Sequence, residues 1–204
     1  MRLFKTPQFF KWIFPRRMWG FSRSVNTVYL TFDDGPNPDI TPWILDYLKQ
    51  EDIKATFFCV GSNIIRYPEL FERIKSEGHT VGNHTMSHDK GTNVSFKDYK
   101  KSISDTQLLV KNNLFRPPYG RIRAWQSYFL AKKYTIVMWT WLSYDFDPSV
   151  SITSIIDKAK SQISAGDILV LHDNDKVKDR VKELLPKLVQ VIRDKNHSFD
   201  VIAG

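Results

Sequence analysis

The sequence contains little cysteine, no long apolar run and no glycine-rich phosphate-binding loop. Among its 204 residues there is one cysteine, Cys59, so no disulfide can form within the chain and the fold depends on its hydrophobic core. No uninterrupted apolar stretch approaches the roughly 20 residues that a membrane-spanning helix requires. The length suits one domain, and 42% hydrophobic residues indicate a globular rather than a disordered protein.

The N-terminal segment, residues 1–26, is basic and rich in aromatic residues, but lysines and prolines interrupt it. A secretory signal needs an unbroken apolar stretch of about 7–15 residues and a small-residue cleavage site, and neither is found. We therefore expect a cytoplasmic protein in which this segment packs against the domain that follows, residues 27–204. A peripheral contact of its aromatic side chains with a membrane interface is the alternative.

Positive charge exceeds negative charge in this chain. The 30 Lys and Arg residues against 22 Asp and Glu residues give a formal net charge of +8 at pH 7. Such an excess suits a polyanionic partner, whether nucleic acid, an anionic glycan or a membrane surface, but it does not identify a chemistry.

Seven short apolar runs alternate with six segments of helical character. The apolar runs are residues 27–32, 54–60, 79–83, 113–116, 134–141, 167–172 and 198–203. The first helical segment begins with Thr41 before Pro42, which is a typical helix start. This alternation predicts βα units around a parallel sheet, and the nearly continuous apolarity of the runs predicts strands covered on both faces. We therefore predict a single α/β domain with a curved or barrel-like sheet.

Charged and polar side chains follow five of the predicted strands. They are Asp33 and Asp34, then His84 and His88, then Arg116, then Asp145 and Asp147, and finally His172 and Asp173. Taken alone, "TFDDGPNPD" (31–39) is compatible with an ordinary solvated turn. However, the carboxyl ends of parallel strands meet at one rim of the fold, where functional sites are built. The convergence of five segments on that rim favours a site.

His84 and His88 are the strongest indication of a metal. Four residues apart on a helical turn, they share a face and can bind one ion. With a carboxylate from another strand end they form a two-histidine, one-carboxylate set, which leaves coordination positions open for water and substrate, as catalytic sites require. Zn²⁺ fits this set best, and the ligand types also allow Co²⁺, Fe²⁺ or Mn²⁺.

Four motifs, "TFDDGP", "HTMSH", "RPPYG" and "ILVLHD", occur in this order. Together they resemble the polysaccharide deacetylases of carbohydrate esterase family 4, the NodB-homology domain, over about residues 27–203. The resemblance implies a distorted (β/α) barrel of seven strands, in agreement with the strand count. It also implies a metal-dependent hydrolase that removes acetyl groups, N-acetyl more than O-acetyl, from a glycan such as chitooligosaccharide, peptidoglycan or xylan. We expect a monomer with no nucleic-acid partner.

The resemblance assigns roles to the residues that would bind the metal and activate the water molecule. Asp34 would bind one divalent ion together with His84 and His88. Asp33 would be the general base, and Arg116 would keep Asp33 ionised and oriented. The residues alone leave open which of the two adjacent aspartates binds the ion.

The remaining roles concern the leaving group and the developing oxyanion. The resemblance implies that His172 protonates the departing amine, that Asp145 orients His172, and that the backbone N–H of Tyr119 faces the oxyanion. The fourth motif departs from the family pattern, because "LSYDFD" carries Phe146 where the family has tryptophan. Asp147 is therefore an alternative partner for His172.

Two aromatic side chains and one further histidine allow either a functional or a structural interpretation. Tyr119 and Trp141 either line a sugar-binding surface or belong to the core. His79 precedes a predicted strand and is expected to be structural.

Two other functions would use some of the same residues. A metal-dependent phosphoesterase would use the aspartates and histidines, but the D-x-D-G-T arrangement of haloacid-dehalogenase phosphatases is missing. A non-catalytic protein that binds glycans or nucleic acid would suit the positive charge, but it would need neither Asp33 nor His172.

Overall fold

Nine parallel strands form the central sheet of the computed structural model, which describes residues 2–203. In chain order they are β1 (Arg17–Met18), β2 (Thr27–Asp33), β3 (Thr56–Cys59), β4 (Thr80–Asn83), β5 (Leu114–Phe115), β6 (Thr135–Val137), β7 (Trp141–Leu142), β8 (Ile168–His172) and β9 (Ser198–Phe199). Eight strands follow the spatial order β1-β6-β5-β4-β3-β2-β8-β7, and β9 pairs with β2. The predicted parallel, barrel-like sheet is confirmed.

Eight helices cover the sheet. They are α1 (Phe9–Ile13), α2 (Thr41–Gln50), α3 (Gly61–Arg66), α4 (Pro68–Ser76), α5 (Phe96–Val110), α6 (Ala124–Leu130), α7 (Ile152–Gln162) and α8 (Lys178–Asp194), with a 3₁₀ turn at Pro118–Gly120. The main core lies between the sheet and helices such as α2 and α8, where Leu30, Leu48 and Leu185 are fully buried. Full burial of one such side chain contributes about 1.5–3 kcal/mol, so this core stabilises the domain without a disulfide.

The prediction of one strand over residues 134–141 is wrong, because this run forms two strands with different neighbours. β6 pairs with β5 and β1, whereas β7 pairs with β8 near the other end of the sheet. Between them, the Met138 amide donates to the Met18 carbonyl (2.7 Å) and the Thr140 amide donates to the Ile168 carbonyl (3.1 Å). This linker therefore joins the two ends of the sheet. Apolarity alone did not reveal the break, because the linker itself is largely buried.

The N-terminal residues contact the rest of the fold at several points. Phe4 is buried in the main core, and β1 adds a strand beside β6. The division of the chain into residues 1–26 and a domain over 27–204 stays a prediction. Between residues 2 and 203, no helix is long and apolar enough to cross a lipid bilayer.

Candidate active site

The end of β2 sends two adjacent carboxylates in different directions. Asp33 is the last residue of the strand and is buried, whereas Asp34 adopts a left-handed conformation with φ 87°. The Gly35 amide then donates to the Asp173 carboxylate (2.8 Å), which also accepts from the Thr41 hydroxyl (2.6 Å). A Cβ at Gly35 would lie 2.0 Å from an Asp173 oxygen, so only glycine fits there. The turn in "TFDDGP" therefore holds the two aspartates in fixed and separate positions.

Asp34, His84 and His88 form a compact group of metal-ligand types. Their ligand atoms all lie within 4.8 Å of one another. Asp34 Oδ1 is 3.0 Å from His88 Nε2 and 3.5 Å from His84 Nε2, yet it is buried and accepts no hydrogen bond within residues 2–203. A buried carboxylate oxygen without a hydrogen bond is costly unless a cation or a donor compensates it.

The orientation of His84 supports the same interpretation. Its Nδ1 lies 2.8 Å from the Arg116 carbonyl, which can only accept a hydrogen bond. Nδ1 therefore carries the proton in the neutral ring, and Nε2 presents its lone pair towards Asp34. Metal-binding histidines are held in this way by a second hydrogen bond. The residues present fit a divalent cation of the Zn²⁺ type.

Two asparagine side chains donate hydrogen bonds to Asp34. The sequence did not predict them. Asn174 Nδ2 donates to Asp34 Oδ2 (2.6 Å), and Asn63 Nδ2 donates to the Asp34 carbonyl (2.8 Å). Burial alone would raise the pKa of the Asp34 carboxyl, but His84 and His88 lower it far below its usual range. The only sequence signal for Asn174 is its position just after the end of β8, and Asn63 has none.

Arg116 is fully buried and pairs with Asp33. Its Nη1 donates to Asp33 Oδ1 and to the Thr31 hydroxyl, each at 2.6 Å, and its Nη2 donates to the Met138 carbonyl at 3.1 Å. The guanidinium also lies 4.0 Å from the centre of the Phe58 ring. Burial lowers the pKa of Arg116, and the Asp33 charge counteracts it. Asp33 is thus held by a cation that several other contacts fix in place.

The structure brings Asp145, rather than Asp147, to His172. The two oxygens of Asp145 accept from His172 Nδ1 and from the His172 backbone amide, each at 2.7 Å. Asp145 is fully buried. Asp147 lies further out and binds Arg2 Nε (2.8 Å) and the Ser149 hydroxyl (2.6 Å) instead. His172 Nε2 is left as the ring nitrogen available to the cleft.

The pairing with Asp145 predicts the pH dependence of an Asp145→Asn variant. Burial alone would lower the pKa of His172, but Asp145, with Asp34 and Asp33 farther away, raises it to about 10. If the protonated His172 ring is the active form, activity is at its maximum below this pKa and falls as the pH rises through it. Removal of the Asp145 charge lowers the pKa, so the alkaline limb of the pH–rate profile should move to lower pH.

The quantity to measure is the difference in the position of the alkaline limb between the wild-type protein and Asp145→Asn. A bound cation also repels the imidazolium and lowers its pKa, but it does so in both proteins. Asp147→Asn is the matched control and should leave the limb in place. A shift in Asp147→Asn without a shift in Asp145→Asn would contradict the pairing.

Tyr119 occupies the turn that follows Arg116. It has a left-handed backbone (φ 60°, ψ 8°), and its amide makes no hydrogen bond to the described residues. The ring is 63% exposed and packs on His88, with centroids 4.7 Å apart. An amide without a hydrogen bond, in a residue that lines the cleft, is available to stabilise negative charge on a bound molecule.

One cleft of about 690 Å³ is lined by Asp33, Asp34, His84, His88, Tyr119 and His172. Phe146 forms part of its wall, is 43% exposed, and packs edge-on to His172 with centroids 5.2 Å apart. Trp139 also lines the cleft, whereas Trp141 is fully buried in the core. Of the two aromatic candidates for a sugar-binding surface, Tyr119 is therefore placed at the cleft and Trp141 is not.

His79 is buried away from the cleft lining. Its Nδ1 accepts from the Ala55 amide (3.1 Å), and burial lowers its pKa to about 4. The ring is therefore neutral at physiological pH and packs as part of the fold, as expected.

Comparisons with known proteins agree with this arrangement. A family model described as polysaccharide deacetylase matches residues 22–137. A peptidoglycan-N-acetylglucosamine deacetylase of Bacillus cereus is 31% identical over 194 residues, which cover 91% of this chain and 90% of the relative. A solved structure of a peptidoglycan N-acetylglucosamine deacetylase, in complex with 4-naphthalen-1-yl-N-oxidanyl-benzamide, is similar with a TM-score of 0.87 and 30% identity, over 97% of this chain and 95% of that one.

The fold alone does not decide whether such a protein is catalytic. A pseudoenzyme of carbohydrate esterase family 4 from Bacillus anthracis has a TM-score of 0.79 at 21% identity, over 90% of this chain and 66% of that one. Here, the family assignment rests on the match of the family model and on the identity to the Bacillus cereus relative across nearly the whole of both chains. This chain belongs to the polysaccharide deacetylase family.

Proposed function

We propose that this protein is a zinc-dependent deacetylase that hydrolyses the N-acetyl group of N-acetylglucosamine residues in a peptidoglycan-type glycan. One observation carries the proposal. A single cleft is lined by the unpaired Asp34 oxygen facing two histidines, by Asp33 and by His172. The buried residues Arg116 and Asp145 hold Asp33 and His172, respectively. A glycan-binding protein without catalysis would not need this combination.

Asp34, His84 and His88 are the residues that would hold the metal. Two imidazoles and one carboxylate leave room for water and substrate, and this mixed nitrogen and oxygen set suits Zn²⁺. When bound, the ion supplies Lewis acidity, which polarises the acetyl carbonyl and makes a water molecule easier to deprotonate.

Asp33 is proposed as the general base. It lies next to Asp34 in the chain but makes no contact with the imidazoles of His84 and His88. Its carboxylate is therefore free to take a proton from water. The ion pair with Arg116 fixes the direction of the Asp33 carboxylate. Arg116 is held by further bonds to Thr31 and Met138, and a guanidinium does not give up a proton in proteins. It therefore orients Asp33 without taking part in the proton transfer.

His172 is proposed as the general acid, and the Tyr119 amide as an oxyanion donor. An amine is a poor leaving group unless it is protonated, and a positioned imidazolium can deliver that proton. Asp145 holds the Nδ1 side of the ring, so the proton leaves from Nε2. The left-handed turn at Tyr119 fixes the direction of its amide before the reaction begins, which lowers the cost of stabilising the oxyanion.

The choice of substrate rests on the relatives. The Bacillus cereus relative and the solved structure with 30% identity are peptidoglycan N-acetylglucosamine deacetylases. Their substrate has an amide to be cleaved and a sugar ring to be bound. Phe146 and Trp139 supply aromatic surface in the cleft for such a ring. N-acetylated chitooligosaccharide is the closest chemical alternative, and acetylated xylan, an ester, is the more distant one.

Metal analysis combined with acetate release tests the proposal. We expect about one divalent ion per chain, since two histidines and a carboxylate form a preorganised set. Chelation should abolish acetate release from N-acetylated peptidoglycan fragments, and Zn²⁺ should restore it. The hydroxamic acid 4-naphthalen-1-yl-N-oxidanyl-benzamide should inhibit the metal-loaded protein.

Acetylated xylan and chitooligosaccharide serve as the comparison substrates in the same assay. Full activity in metal-free protein would exclude the metal mechanism. Metal binding without acetate release from any of the three substrates would indicate a binding protein. The monomeric state and the cytoplasmic location stay predictions.

A further inference from the structure

Two short helices outside the cleft expose an unusual amount of apolar surface. We define the aromatic patch as Phe9, Trp12 and Ile13 of α1 together with Trp125, Tyr128 and Phe129 of α6. These are six of the 13 large apolar side chains that are exposed in residues 2–203. In each helix they occupy positions i, i+3 and i+4, so they lie on one face. Contiguous exposed apolar surface of this kind marks an interaction site.

Both helices pack against the same hydrophobic cluster, which includes Leu130 of α6 and contacts Phe10 of α1, and the residues that follow α1 reach α6 directly. The Arg16 guanidinium lies 4.5 Å from the centre of the Tyr128 ring, and Arg17 Nε donates to the Ser127 hydroxyl (3.0 Å). A second bond from Arg17 reaches the Ile122 carbonyl (3.0 Å). The exposed residues of α1 and α6 are therefore carried by two helices that cover the same core cluster.

Both helices have the wrong polarity for a surface that faces only water. In α6 the polar residues Gln126 and Ser127 are buried, whereas the aromatic side chains Trp125 and Phe129 are about half exposed. In α1, Phe10 packs on Trp19 towards the core (centroids 5.9 Å apart), while Trp12 on the outer face is 80% exposed. A surface helix normally turns its polar residues to water, so the outward aromatic residues of α1 and α6 indicate a face that another apolar surface covers.

The two sequence segments that carry the patch contain charge of one sign. Residues 1–32 and 106–144, which contain both helices, each hold six Lys or Arg and no Asp or Glu. The rest of the chain, with 18 basic and 22 acidic residues, carries a net charge of −4. Lys132 lies over the patch, with Nζ 5.3 Å from the Tyr128 ring centre and 5.6 Å from that of Phe129. The whole positive excess of the molecule is thus concentrated in the two segments that carry the patch.

From these observations we infer that the aromatic patch docks on an anionic lipid surface. Trp and Tyr favour the headgroup region of a bilayer, and Phe and Ile favour its acyl boundary. Each Lys or Arg near an anionic leaflet adds to the attraction. A purely polyanionic polymer would use the charge but would leave Ile13 and Phe129 without a partner. This surface is separate from the catalytic residues, so the inference does not depend on the proposed reaction.

Co-sedimentation of the full chain with lipid vesicles tests the inference. The protein should sediment with vesicles of phosphatidylcholine and phosphatidylglycerol, sediment little with phosphatidylcholine alone, and be released at about 0.5 M salt. The triple variant Trp12→Ser, Ile13→Ser, Phe129→Ser should weaken binding at least about tenfold. Its matched control, Ile65→Ser with Leu108→Ser, removes apolar side chains that are 62% and 75% exposed on other helices and should bind normally.

A charge variant gives an independent readout. Lys132→Gln with Lys133→Gln should also weaken binding about tenfold or more, whereas Lys182→Gln with Lys187→Gln on α8 should not. All four variants change exposed residues and should keep the melting temperature and the activity on soluble oligosaccharide. Absence of binding to anionic vesicles, equal binding to neutral ones, or equal losses in patch and control variants would overturn the inference. Binding to soluble polyphosphate but not to vesicles would replace the lipid by a polyanionic polymer.

Discussion

Asp33→Asn is expected to reduce turnover by about 10²–10⁴-fold, the usual contribution of a general base, while the protein keeps its metal. Asp33 makes no contact with His84 or His88, so its charge is not needed to complete the ligand set. Asparagine keeps the size of the side chain and can still accept from Arg116, but it cannot take a proton from water. Acetate release and metal content, measured on the same preparation, check this result.

Asp34→Asn is expected to differ from Asp33→Asn, because Asp34 is the proposed metal ligand. Because Asp34 Oδ1 faces both histidines, loss of its charge should weaken metal binding first, and excess Zn²⁺ should recover part of the activity. Excess metal should recover nothing in Asp33→Asn. If Asp33→Asn emptied the site while Asp34→Asn retained its metal, the roles of the two aspartates would be reversed.

Arg116→Met is expected to destabilise the fold by about 3–5 kcal/mol, the usual cost of leaving one charge of a buried ion pair unpaired. Asp33 would remain buried without its cation, and the Met138 carbonyl would lose its donor. Urea denaturation of the metal-free protein measures the loss without interference from ligand binding. Arg121→Met, at an exposed arginine in the following turn, is the control and should change stability by at most about 0.5 kcal/mol.

A double variant separates the ion pair from simple loss of packing. Adding Asp33→Asn to Arg116→Met removes the uncompensated charge, so the double variant should be more stable than Arg116→Met alone. If the second substitution lowered stability further by the full amount seen in Asp33→Asn alone, the two side chains would act independently. The ion pair with Asp33 would then not be the reason that Arg116 stabilises the fold.

The sequence predicted well those features that depend on residue type and order. Apolar runs alternating with helical segments indicated the parallel sheet. The polar residues after strand ends indicated the cleft, because the carboxyl ends of parallel strands share a rim. Asp33, His84 and Arg116 could therefore be brought together from three separate segments before their positions were known.

Features that depend on three-dimensional register could not be predicted. Trp139 and Trp141 lie in the same apolar run, and only the break between β6 and β7 determines that the first reaches the cleft and the second the core. Asp145 and Asp147 both precede α7 in a short loop, and nothing in "LSYDFD" shows which carboxylate turns towards His172. Asn174 supports Asp34 across a gap of 140 positions, and single-sequence patterns do not record such contacts.

The two prolines of "RPPYG" influence a metal site in which neither is a ligand. Arg116 has two ends: its guanidinium holds Asp33, and its carbonyl accepts from His84 Nδ1. A residue before proline is confined to extended backbone conformations, so Pro117 prevents the 116–117 peptide plane from turning its carbonyl away from His84. Pro118 then begins the turn that carries Tyr119. Because one residue positions both Asp33 and His84, substitutions at positions 116–118 are expected to change metal affinity and turnover together.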